Sequence, residues 1–119
     1  MKRNQALAHL PYLAADTTRF ANVNSAKNVW WLDIPISKIN GHINLSLALY
    51  DDRRKKLFVL DVPPDFFREN EKSISIRIDR QVVSLELSAE DSRIFENTRP
   101  VNSGLSFRQF LVRTLDISL

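Results

Sequence analysis

The sequence predicts an α+β domain: a single antiparallel sheet of about five strands, curled or partly closed, with a C-terminal helix over its apolar face. Two observations carry this prediction. Residues 43–88 repeatedly alternate apolar with small polar residues, and successive side chains of a strand point to opposite faces of a sheet. Residues 105–115 instead space their apolar residues as an amphipathic helix does.

The length of 119 residues is that of one domain, and no linker or internal repeat divides the chain. We interpret residues 1–28 as an N-terminal arm or short helix, partly irregular. The residues that would anchor such a helix or arm are Tyr12, Leu13, Phe20 and Val23, and the residues that indicate an irregular connection are Asn22, Asn24, Ser25 and Asn28. Residues 29–119 then form the α+β domain.

The first predicted strand covers residues 29–34, and Pro35 ends this strand or places it at a sheet edge. A hairpin follows, with strands at residues 42–50 and 57–62 around a fully charged turn. Pro64 begins a short helix over residues 64–69, since proline is tolerated in the first helical turn.

A second hairpin joins residues 73–79 to residues 82–88. Its predicted register sets Ile78 against Val83, which also sets Ile76 against Leu85 and so keeps one shared apolar face. A capping-box pattern at its end predicts a short helix over residues 88–97.

The predicted C-terminal helix begins where Leu105 and Phe110 form a hydrophobic staple around the N-cap Ser106. Phe107, Phe110, Leu111 and Leu115 then lie on one helical stripe, which we expect to cover the apolar face of the sheet.

The composition excludes several kinds of active site. The chain has no cysteine, which removes thiolate metal sites and cysteine nucleophiles, and two glycines are too few for a phosphate-cradling loop. His9 and His42 are the only histidines and show no zinc-ligand spacing. We expect no cofactor, and we expect no membrane span and a cytoplasmic location, because no apolar run approaches about 18 residues.

The net charge of +3 permits a nucleic-acid partner without requiring one, since 17 basic residues are interleaved with 14 acidic ones. The densest basic cluster lies in the turn of the first hairpin, where it either contacts phosphates or is simply a solvated turn. The candidate nucleic-acid contacts are Arg53, Arg54, Lys55, Lys56, Arg108 and Arg113.

The polar face of the predicted sheet is unusual, because it carries small serines where long or β-branched residues are more common. Small side chains permit close approach of the arm, of a second subunit, or of solvent alone. Trp31 points away from the predicted core residue Trp30, where it is either covered by a second small core or exposed as an anchor for a partner or a stacked base. The candidate interaction residues are Trp31, Ser46, Ser73, Ser75, Ser84 and Ser88.

These observations favour a non-catalytic protein-interaction module that self-associates as a homodimer or binds another protein, through the edge strand 29–34 or the serine face. One alternative is a nucleic-acid-binding accessory protein that uses the basic turn. Another is a carboxylate-dependent hydrolase in which Asp61 and Asp33 act as a pair. The sequence itself identifies no substrate or ligand.

Overall fold

Residues 1–117 are described by the computed structural model, and they contain seven strands and three short α-helices. The strands are β1 (Thr18–Asn24), β2 (Val29–Pro35), β3 (Leu45–Asp51), β4 (Lys56–Val62), β5 (Ser75–Arg77), β6 (Val82–Ser88) and β7 (Leu111–Asp116). The helices are α1 (Arg3–Ala8), α2 (Ile36–Ile39) and α3 (Pro64–Glu69). The strands form one open sheet in the order β5-β6-β2-β1-β3-β4-β7.

The prediction of a five-stranded antiparallel sheet covered by a C-terminal helix is wrong. The sheet has seven strands and is mixed, because β1 and β3 run parallel while the other neighbours are antiparallel. β1 and β2 share two residue pairs, so the two halves of the sheet meet along a short seam.

The C-terminal segment forms a strand instead of the predicted helix. Arg108–Phe110 make one 3-10 turn, and β7 then pairs antiparallel with β4, with Leu115 opposite Leu57. Without β7, the outer backbone groups of β4 would lack hydrogen-bond partners in the sheet. This need for a partner strand is not visible in the local sequence, and it overrides the helical spacing of the apolar residues. Phe107 is fully buried and Phe110 partly buried, so these residues contribute to the core from a turn.

The segment predicted as an arm supplies both α1 and the interior strand β1. Because β2 lies between β6 and β1 in the strand order, the strand at residues 29–34 is interior, and its predicted use as an edge is wrong. The two edges of the sheet are β5 and β7.

The first hairpin is confirmed, with Leu45 opposite Val62 and Asp51 opposite Lys56, and α3 begins at Pro64 as predicted. The register of the second hairpin is wrong by two residues, since Ile76 lies opposite Val83. The turn there is longer than predicted because Ile78–Arg80 form a 3-10 turn.

Residues 88–97 form no α-helix. A single 3-10 turn at Asp91–Arg93 replaces the predicted one. Phe95, just beyond this turn, is buried and has a positive φ of 65°. This backbone angle directs the segment across the sheet and not along a helix axis.

Both faces of the sheet are partly covered. One face, which we call the core face, carries Trp30 and packs against α2, α3 and residues 89–110. Trp30 stacks on Phe95 with ring centroids 5.7 Å apart, and Phe58 meets Phe95 edge to face. The prediction that Trp30 belongs to the core is confirmed, because it is fully buried.

The opposite face, the back face, is covered only in part. Ala6 and Leu10 of the N-terminal segment are buried there against Ala48 and Tyr50 of β3. The back face of β2 and β6 carries Trp31 outward. Within residues 1–117 no helix is both long enough and apolar enough to cross a membrane.

Candidate interaction surfaces

The outer edge of β7 is the longer of the two sheet edges. β7 contains six residues and, within residues 1–117, pairs with β4 on one side only, so the backbone groups on its other side have no strand partner among the described residues. Leu111 and Val112 are exposed at 36% and 57%, and a register shift next to Val59 marks a bulge at that end. A long edge with exposed apolar residues is a template for pairing with another strand.

The β5 edge is shorter. Three residues pair with β6, and the chain then enters a 3-10 turn. Beside β5 an apolar groove opens between α2 and α3, with Ile76 on its rim and Val83 in its floor.

Trp31 lies on the back face and is 43% exposed. Its indole N–H donates to Glu86 Oε1 at 2.6 Å, and Lys27 Nζ lies 5.5 Å from the ring centroid. The hydroxyl of Thr98 also donates to Glu86. These two donors hold the pKa of Glu86 below its ordinary value, Thr98 contributing most and burial opposing them. These contacts fix the orientation of the indole. A fixed orientation is required of a binding anchor, but it is equally found in a residue that only packs against its neighbours.

The predicted serine residues do not form one exposed surface. Ser46, Ser84 and Ser88 are buried, while Ser73 and Ser75 are half-buried. The structure sets Ser75 directly opposite Ser84 but leaves Ser46 in the other half of the sheet.

Each of three serines has a local structural contact. Ser84 donates to Asp33 at 2.7 Å, and Ser88 accepts from the backbone N–H of Glu90. The backbone oxygen of Ser73 accepts from the side chain of Asn97.

The basic turn is a network of ion pairs around one buried carboxylate. The Asp51 side chain is fully buried and accepts from Arg53 Nε at 3.3 Å and from Arg54 Nη1 at 2.6 Å. The backbone N–H groups of Arg53 and Arg54 also donate to its Oδ1. Burial acts to raise the pKa of Asp51, but the hydrogen bonds from Arg53 and Arg54 outweigh burial and hold that pKa below its ordinary value.

Carboxylates distant in sequence also engage this turn. Arg54 pairs with Asp91, and Lys56 Nζ lies 2.6 Å from Asp116 of β7. Three of the four basic residues of the turn are thus partnered, which favours a structural role in joining the turn to its neighbours. Lys55 is exposed and has a positive φ of 54°.

The other predicted nucleic-acid contacts do not join the turn in one patch. Arg113 lies opposite Val59, three residues along the sheet from the turn, and its guanidinium stacks 5.1 Å from the ring of Tyr12. Arg108 lies beyond Leu111, at the far end of β7. Nucleic-acid binding therefore stays a prediction, and its candidate residues are spread along one side of the sheet.

The predicted carboxylate pair is not assembled. Asp33 is on β2 and Asp61 on β4, and three strand spacings separate these strands, a distance of about 14 Å. Asp61 instead accepts from Asn44 at 3.3 Å. Across residues 1–117, no cluster of three or more histidine, aspartate or glutamate side chains is placed to hold a metal ion.

Sequence reasoning missed the two surfaces at the sheet edges. The β-branched Val112 and Thr114 signalled a strand, but the helical spacing of neighbouring apolar residues obscured that signal. The groove beside β5 combines residues from four segments of the chain. The sequence alone does not show that these segments lie next to each other.

Comparisons with known proteins gave no match, whether with protein-family models, with curated proteins or with solved structures.

Proposed function

We propose that this chain is a non-catalytic protein-interaction module that self-associates, with the outer edges of β7 from two copies pairing antiparallel. The observation that carries the proposal is the outer edge of β7, with which no strand of residues 1–117 pairs; β7 is six residues long and includes exposed Leu111 and Val112. Pairing would satisfy the outward backbone groups and shield these apolar side chains.

β7 is favoured over the other strands by its position and its length. β2, the edge expected from the sequence, pairs with β6 along its length and with β1 at Val29 and Trp30, so it is an interior strand of the sheet. β5 forms three residue pairs, half the length of β7, and short edge strands resist pairing.

A two-fold axis would make the two edges identical surfaces in contact. In an antiparallel pair of that kind, the residue on the axis faces its own copy. Centring on Arg113 would set two guanidinium groups opposite each other, which is destabilising. Centring on Thr114 sets two threonines opposite each other, a favourable pair of about 0.2–1 kcal/mol, and Arg113 then faces Leu115.

The edge is small, so the association is reversible. Six residues extend about 20 Å, and one added strand buries less than the roughly 1,000 Å² typical of stable interfaces. We therefore expect a dimer whose population rises with concentration, with a Kd on the order of micromolar or weaker.

Sedimentation across the micromolar range tests the proposal. Thr114→Lys and Thr114→Glu each place like charges opposite each other and should leave monomers, whereas an equimolar mixture of the two should associate again. Val101→Lys is the matched control, because Val101 is 84% exposed in a loop, and it should sediment like the wild type.

Two results would overturn the proposal. One is a wild-type chain that stays monomeric at high micromolar concentration. The other is association that persists undiminished in both Thr114 variants, which would place the interface elsewhere.

A further inference from the structure

The second edge of the sheet carries a groove with a different character. The groove lies between α2, α3 and β5 and encloses about 210 Å³. Its floor consists of core residues, and Ile36 and Ile76 form its apolar rim. The buried residues of the floor are Ile39, Phe67, Ile74 and Val83.

The size of the groove limits what it accepts. Small-molecule sites occupy roughly 300–1,000 Å³, so 210 Å³ holds one large side chain more readily than a cofactor or metabolite. An apolar lining favours an aliphatic or aromatic side chain.

The charges on the rim add a second requirement. Arg68 is already engaged, because it pairs with Asp65 and donates to the backbone oxygens of Ile39 and Gly41. Glu71, also on the rim, makes no ion pair or side-chain hydrogen bond within residues 1–117. The rim thus presents a carboxylate that complements a basic group on the occupant.

The β5 edge supplies the third element of recognition. The outer backbone groups of Ser75–Arg77 have no strand partner in the part of the chain that the structure describes, and Ile76 is 39% exposed beside the groove. Extended peptides that add to a sheet edge gain affinity from backbone hydrogen bonds and specificity from pockets for alternate side chains.

We infer that the groove beside β5 binds an extended peptide segment of a partner protein, which inserts one large apolar side chain and places a basic residue against Glu71. This interface is independent of β7, because it lies at the opposite edge of the sheet. A second copy seated here through its own β7 would produce open chains of many subunits, since the two surfaces differ.

The probes are three synthetic hexapeptides in which the variable residues are two apart, so that both side chains point to the same face of an extended strand. They are Thr-Leu-Thr-Lys-Thr-Thr, Thr-Leu-Thr-Glu-Thr-Thr and Thr-Ser-Thr-Lys-Thr-Thr, called the Leu-Lys, Leu-Glu and Ser-Lys peptides. Titration into the isotope-labelled wild-type chain should shift the amide resonances of residues 74–77 and 83 most strongly with the Leu-Lys peptide. The Ser-Lys peptide lacks the apolar side chain and should shift them least.

Charge reversal on the rim makes the test specific. Glu71→Lys should weaken binding of the Leu-Lys peptide by about two- to fivefold, the effect of one exposed ion pair, and should favour the Leu-Glu peptide instead. Glu69→Lys is the matched control, since Glu69 is exposed but does not line the groove, and it should leave the preference unchanged.

The inference is overturned if no groove resonance shifts at millimolar peptide, or if the Ser-Lys peptide acts as strongly as the Leu-Lys peptide. A preference that Glu71→Lys leaves unchanged overturns the basic-residue requirement. Open chains larger than dimers in sedimentation would place a second copy of this chain at the β5 edge and would also overturn the inference.

Discussion

Replacement of the buried carboxylate in the first hairpin should measurably destabilise the fold. The Asp51 side chain is fully buried and accepts from both the side chains and the backbone N–H groups of Arg53 and Arg54. Asp51→Asn keeps an oxygen for the backbone N–H groups but removes the charge that both guanidinium groups contact. Charge-assisted hydrogen bonds contribute about 1.5–3 kcal/mol each, but water can solvate these two partly exposed guanidinium groups. We expect the free energy of unfolding to fall by about 1–2 kcal/mol.

The pH dependence of this loss has a definite sign. The pKa of Asp51 is lowered in the folded chain, so its charge stabilises the fold above the unfolded pKa of about 3.9. That contribution disappears as the pH falls through the lower folded pKa. The difference between wild type and Asp51→Asn should therefore be largest near neutral pH and should narrow in acid.

Urea unfolding followed by circular dichroism from neutral pH into acid measures both quantities. Asp52→Asn is the control, because Asp52 is an exposed neighbour in the same turn and should change stability by less than about 0.5 kcal/mol. A stabilising role for the Asp51 charge is refuted if Asp51→Asn is as stable as wild type at neutral pH, or if its loss of unfolding free energy is the same at every pH.

Two further predictions address the dimer geometry and the loop that closes the core. Because the chain has no cysteine, Thr114→Cys introduces a single thiol, which should form a disulfide-linked dimer on mild oxidation. Val101→Cys is the control and should not cross-link. Equal cross-linking of both variants would refute the predicted register. Asn97 is fully buried, accepts from the backbone N–H of Glu86 and donates to two backbone oxygens. Asn97→Ala should therefore lower the free energy of unfolding, measured by urea denaturation, by about 2–4 kcal/mol. The exposed Asn4→Ala should cost far less, and equal losses would contradict the assigned role of the Asn97 contacts.

The sequence predicted those elements whose signals are local. The hairpin of β3 and β4 follows from unbroken alternation on both sides of a charged turn, and α3 follows from the proline that begins it. Trp30 and Trp31 were separated correctly because adjacent residues of a strand face opposite ways, one fully buried and one 43% exposed.

The elements that were missed depend on distant partners. β1 has few apolar residues of its own, and its parallel ladder with β3, such as Phe20 opposite Ala48, joins segments that are far apart in the chain. In the segment that precedes β7, Phe107 and Phe110 fit a helix as well as a turn, and the open side of β4 decides between them.

The candidate sites likewise divide into features with a local sequence signal and features that depend on distant partners. The charged turn was located correctly, but its meaning changes once Asp91 and Asp116, remote in sequence, are seen to pair with Arg54 and Lys56. Neither sheet edge was predictable until the strand order was known, because an edge is defined by the absence of a neighbour.

Pairing of β7 with a second copy can be tested by amide hydrogen exchange measured at low and at high protein concentration. We predict that amides within residues 111–116 gain protection as the protein concentration rises, and that Thr114→Lys abolishes this gain. Exchange in β7 that stays the same at every concentration, while another segment becomes protected or none does, would contradict it.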